Sequence, residues 1–77
     1  MAKEIVVVDG GWVLTGDVQD TAQGITVLEA SVVRVWGTTA GLGELALKGP
    51  TKSTVLDYAG EVRVNTGRIL MRIPCKV

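Results

Sequence analysis

No histidine occurs anywhere in the chain, cysteine occurs once, and the aromatic residues are Trp12, Trp36 and Tyr58 alone. Each shortage excludes something. Without histidine the usual general base near neutral pH is missing. Ser31 and Ser53 therefore have no partner base to activate them. Cys75 is the only cysteine, so it cannot staple its own chain, and without histidine it cannot build a zinc site. Lying two residues from the end with no positioned base, it reads as structural rather than nucleophilic. No stretch alternates Asp and Asn as a calcium loop does, and Gly41-Leu42-Gly43 is not a phosphate-cradling glycine loop of the Walker type. The expectation is a protein that is not an enzyme, with no catalytic residue, no metal and no cofactor.

Long apolar runs are also lacking. None approaches the roughly 18–20 residues of a membrane-crossing helix. Ile5 to Val8 is too short for a signal-peptide core, and Asp9 ends it. These shortages, with the single thiol, predict a cytoplasmic protein that does not enter a membrane.

What is abundant is apolar character, 47% of 77 residues. That length predicts a single domain over residues 1–77. A domain of this size buries only about 60% of the surface its unfolded chain exposes. Small domains compensate with disulfides, a metal or oligomerisation. The first two are excluded, so the sequence predicts a homo-oligomer whose interface covers the apolar excess.

Net charge is zero but unevenly spread. Residues 1–33 carry Lys3 against Glu4, Asp9, Asp17, Asp20 and Glu29, which leaves −4. Residues 34–77 carry Arg34, Lys48, Lys52, Arg63, Arg68, Arg72 and Lys76 against Glu44, Asp57 and Glu61, which leaves +4. Either the two halves pack and the charges are solvated, or the basic half receives an anion. Duplex nucleic acid is disfavoured, because it calls for a broad basic surface and a net excess.

Along the chain, Ile5 to Val8 is β-branched and reads as a buried strand, with Asp9-Gly10-Gly11 as a hairpin turn. Trp12 to Val18 returns, and Gly16 marks a bulge or a close backbone approach. Gln19 to Gln23 reads as a loop. Ile25 to Leu28 and Val32 to Trp36 read as strands, separated at Glu29-Ala30-Ser31 by a turn or bulge. Residues 41–48 carry the helix signal. Leu42, Leu45 and Ala46 fall at helical spacing, Glu44 and Lys48 form an i, i+4 pair, and Gly49-Pro50 stops the element. Ser53 to Asp57, Glu61 to Val64 and Arg68 to Ile73 return to strands, with Asn65-Thr66-Gly67 as a turn. In the last strand Ile69, Met71 and Ile73 are expected to share a face. The fold class is α+β, mainly β: a compact, small, antiparallel-rich sheet or barrel of six or seven short strands with one short helix.

The best constellation for binding is Arg34-Val35-Trp36-Gly37-Thr38-Thr39-Ala40-Gly41. Arg34 and Trp36 share a face if the strand is extended. Trp36 offers a stacking surface and Arg34 a fork for phosphate or a guanine edge. Thr38 and Thr39 offer hydroxyls, and the helix beginning near Gly41 offers free N–H groups. Lys52 is an accessory cation. Each has a bland alternative: Trp36 filling the core, Arg34 solvated, Thr38 or Thr39 capping the helix. Trp12 and Tyr58 read as packing residues or interface anchors.

Arg34-Val35-Trp36-Gly37, Leu42-Gly43-Glu44-Leu45-Ala46, Gly49-Pro50 and Ile73-Pro74-Cys75 together resemble a group of very small phage-borne and metagenomic proteins. That group has an Arg-x-Trp strand, a Glu-Leu-Ala helix and a closing Ile-Pro strand. The resemblance covers roughly residues 24 to 75, and its motifs are short and hydrophobic. In size and layout the chain is also similar to phage anti-CBASS sponge proteins. Those are small oligomers that sequester cyclic dinucleotide alarm signals without cleaving them. The resemblance implies a sponge for a nucleotide second messenger in the cytoplasm of an infected host. The alternative is an oligomeric structural or interaction protein with no small-molecule ligand, such as a virion accessory or an inhibitor of a host protein.

Overall fold

The structure is a computed structural model that describes residues 2–35, 46, 49 and 52–75. Five strands run in chain order: β1 (Ala2–Val8), β2 (Trp12–Asp20), β3 (Gly24–Val35), β4 (Val55–Asn65) and β5 (Ile69–Pro74). All neighbours are antiparallel, and the order across the sheet is β4-β3-β2-β1-β5. The β1–β2 turn works as expected, with Gly10 and Gly11 both at φ 86, a conformation costly for any side chain.

The sheet is curled, and chain length is the reason. β4 and β5 are its outer strands, yet only the three-residue 3₁₀ turn Thr66–Arg68 joins them. In a flat sheet they would lie four strand spacings apart, about 19 Å. Four Cα–Cα steps reach at most about 15 Å. Backbone hydrogen bonds pin both ends of the turn: the Thr66 amide donates to the Gln23 carbonyl at 3.0 Å and the Asp9 amide to the Arg68 carbonyl at 2.9 Å. The result is an open barrel.

Curling gives the sheet two apolar faces. Val6, Val18, Ile25, Val27 and Ala30 are buried in one cluster, joined by Val8, Val62, Val64 and Ile69. Ile5, Val13, Val33 and Ala46 form the other, joined by Val7, Leu56, Ile73 and Cys75. Adjacent residues of a strand face opposite ways. Ile5 and Val6 are both 0% exposed, so β1 is covered on both faces. The continuous β-branched run Ile5 to Val8 is the pattern such a strand requires.

Among the described residues five strands replace the expected six or seven because bulges take the place of turns. Between Val27↔Val62 and Ala30↔Gly60 the register slips by one residue on β3. Glu29 sits in that slip at φ 52, a rare conformation for a residue with a side chain. Ala59 is the extra residue of a compensating slip on β4, beside Gly60 at φ 77. Each break therefore bends one long strand instead of ending it. The bulge also exchanges faces: Val27 and Val33 fall in different clusters although six positions apart. A shift between Val7 and Val8 does the same in β5, so Ile69 and Ile73 do not share a face as expected.

The helix expected over residues 41–48 lies outside the described residues except for Ala46, which is helical and 2% exposed. Otherwise the only helical element among the described residues is the 3₁₀ turn. None of their helices is long and apolar enough to cross a membrane.

Charge ties the two halves of the chain. Arg72 grips Glu4 twice, Nε to Oε1 at 2.7 Å and Nη2 to Oε2 at 2.8 Å, and reaches Asp20 through Nη1 at 2.8 Å. Hydrogen bonds to Glu4, then to Asp20, hold this guanidinium still further above its ordinary range. Arg68 pairs with Asp9 at 2.9 Å. Both clusters join an arginine of the basic half to carboxylates of the acidic half, which accounts for part of the sequence asymmetry by packing.

Candidate functional site

β3 carries Arg34 to the end of the sheet, and pairing with β4 sets Asp57 beside it. The guanidinium meets the carboxylate edge to edge, Nε to Oδ2 at 2.9 Å and Nη2 to Oδ1 at 3.3 Å. On the other side of β3, Leu14 pairs with Val32, and two residues further along the same face stand Trp12 and Arg34. Trp12 follows the Gly10-Gly11 turn directly and is 59% exposed. Trp12, Val32, Val33, Arg34 and Asp57 line a shallow cavity of about 290 Å³. It offers an indole face, one cation and one anion over an apolar floor.

Of the residues expected at the site, Arg34 is exposed and held by Asp57, which the sequence reading did not place there. Lys52 is exposed and makes no ion pair with another described residue. Trp36, Thr38, Thr39 and Gly41 lie outside the described residues. The aromatic that the structure sets beside Arg34 is Trp12, read from sequence as packing or an interface anchor. The signal for it was the register: the Gly10-Gly11 hairpin fixes β1 on β2, but only the β2–β3 pairing aligns Trp12 with Arg34.

A larger cavity of about 430 Å³ lies beside the β2–β3 turn, where Gln19, Gln23, Thr26, Leu28, Arg63 and Asn65 are among its walls. Its cation is engaged within it, Arg63 Nη2 to Glu61 Oε2 at 2.8 Å. Among the described residues it has no aromatic wall, and we place the candidate site at Arg34.

Cys75 packs against the Ile5 cluster, and its Sγ lies 3.8 Å from the Thr15 hydroxyl. Tyr58 is exposed, and its hydroxyl donates to Glu29 Oε2 at 2.9 Å. That bond, then the charge of Glu29, raises the phenol above its ordinary value of 10.0. The neutral phenol is the bonded form, so the bond holds below the ordinary range and is lost as pH rises through the raised value. Tyr58 is the only tyrosine, so tyrosinate absorbance reads it alone. The titration midpoint is expected above 10.0, returning toward it in Glu29→Gln. A parent midpoint at 10.0 would show that the bulge does not present Glu29 to Tyr58.

Comparison with family models, curated proteins and solved structures finds no match to this chain.

Proposed function

We propose that the protein is a non-enzymatic binding module that holds a nucleotide-type anion, in the manner of a sponge for a cyclic dinucleotide messenger, and that it works as a homo-oligomer. The observation that carries this reading is the shared cavity of Trp12 and Arg34 at the end of β3. A base stacks on an aromatic with about 1–3 kcal/mol. A guanidinium adds charge-assisted hydrogen bonds of about 1.5–3 kcal/mol. In sequence, residues 36–41 include a second indole, Trp36, and two hydroxyls, Thr38 and Thr39. Arg34 and Trp36, with Thr38, Thr39, Gly41 and Lys52, remain the proposed contacts, and Trp12 joins them. The resemblance to phage sponges makes cyclic dinucleotides the first probes and the host cytoplasm the place of action.

A thermal-shift panel of nucleotides tests the reading. Stabilisation should approach about 2.7 kcal/mol at 100 times the dissociation constant. Arg34→Ala and Trp36→Ala should each weaken binding at least about tenfold while the protein stays folded, a loss of about 1.4 kcal/mol. If both variants unfold or dissociate with affinity intact in the folded fraction, the two residues are core and interface instead.

One observation favours the second reading, an interaction protein without a small ligand. On the outer strand β5, Leu70 is 67% exposed and Met71 49%. Exposed apolar side chains on a strand that is outermost among the described residues fit a protein contact. Under the first reading that contact is a second copy of the chain. Under the second it is a foreign protein, and the nucleotide panel would then leave the melting temperature of the protein unchanged.

A further inference from the structure

We infer that the cavity beside Trp12 takes a guanine base, read by Asp57. This rests on the nucleotide reading above and names the base within it. The carboxylate of Asp57 sets both oxygens against two parallel N–H groups of Arg34, Nε to Oδ2 at 2.9 Å and Nη2 to Oδ1 at 3.3 Å. An acceptor pair of this kind is complementary to any ligand with two adjacent donors. Among the common bases only guanine has them, N1–H beside the 2-amino group. Adenine and cytosine set their amino group beside a ring lone pair, which a carboxylate oxygen repels. Uracil and thymine flank one N–H with two carbonyls.

The exchange of guanidinium for base costs little. Side chains of Arg34 and Asp57 are 65% and 49% exposed, and exposed pairs contribute little to stability. The displaced guanidinium keeps its charge and becomes free for the guanine O6 or for a phosphate. Trp12, 59% exposed on the same cavity, supplies the stacking face. The volume of about 290 Å³ lies at the lower end of ligand pockets, room for a base rather than for a whole dinucleotide. A cyclic dinucleotide carries two bases, so two copies of the chain would each offer one cavity to one ligand.

Calorimetric titration of the full chain with GMP and AMP, and with cyclic diguanylate and cyclic diadenylate, tests this. Each guanine ligand should bind at least about tenfold more tightly than its adenine counterpart. Asp57→Asn should bring guanine affinity down to the adenine level, since an amide offers one acceptor and one donor. Trp12→Ala should weaken both ligand types alike, by about fivefold or more. Equal affinity for guanine and adenine in the parent overturns the inference and leaves the nucleotide reading standing. A preference that survives in Asp57→Asn also overturns it. Absence of binding by all four ligands overturns both.

Discussion

Gly24→Ala is expected to lower the stability of the domain by about 3 kcal/mol, the upper end of what overpacking a tight site costs. The start of β3 passes so close to the end of β4 that a Cβ on residue 24 would collide with the Val64 carbonyl oxygen. It would also stand 2.8 Å from the Asn65 Cα and 2.9 Å from the Thr66 amide nitrogen. These are backbone atoms, so no side-chain rotation relieves the clash. Strand and 3₁₀ turn would have to separate at the point where the Thr66 amide bonds the Gln23 carbonyl. In a domain of this size a loss of about 3 kcal/mol lowers Tm by roughly 12–24 °C. Gly67→Ala, one turn away, has nothing within 4 Å of the added methyl and is expected to melt near the parent. Thermal melts followed by circular dichroism compare the two. Equal melting of both variants would mean that β3 and β4 do not approach as described.

Ile5→Ala is the second large effect, about 2–5 kcal/mol. Ile5 is 0% exposed and meets Val13 and Val33, with Ala46, Ile73 and Cys75 around it. Strands on both sides restrain β1, so the site has little freedom to collapse around the void. At dilutions where the chain is a single copy, Leu70→Ala removes a side chain that is 67% exposed and should change stability by about 0.5 kcal/mol or less. Denaturant unfolding distinguishes them. If Ile5→Ala costs no more than Leu70→Ala, β1 is not covered on both faces.

Most of the strand content was legible because β-branched runs and glycine turns are local signals. Ile5 to Val8, Asp9-Gly10-Gly11 and the return from Trp12 needed no tertiary information. Gly16 was read as marking a bulge or a close approach: it lies opposite the β3 bulge, where the register shifts between Thr15 and Asp17, and a Cβ there would lie 2.8 Å from the Leu28 carbonyl. The number of strands was not legible. A turn and a bulge use the same residue types, and only pairing shows whether Glu29-Ala30-Ser31 ends a strand or bends it. Joining β4 to β5 across the gap of the curled sheet was hidden for the same reason, since Asn65-Thr66-Gly67 looks like a hairpin turn. At the site, Arg34 was legible as a cation at a strand end. Its carboxylate partner lies 23 positions away on β4 and its indole neighbour 22 positions back on β2, so both depended on register.

Equilibrium dialysis against a cyclic dinucleotide, followed by denaturation of the protein and chromatography of what it releases, tests the central claim most directly. Binding concentrates the ligand on the protein side, and absence of turnover returns it unchanged, so both parts of the claim are read in one sample. The expected result is a cyclic dinucleotide enriched with the parent protein, recovered intact, and no longer enriched with Arg34→Ala. Equal concentrations on the two sides of the membrane, or recovery of linear products that depend on the protein, would contradict it.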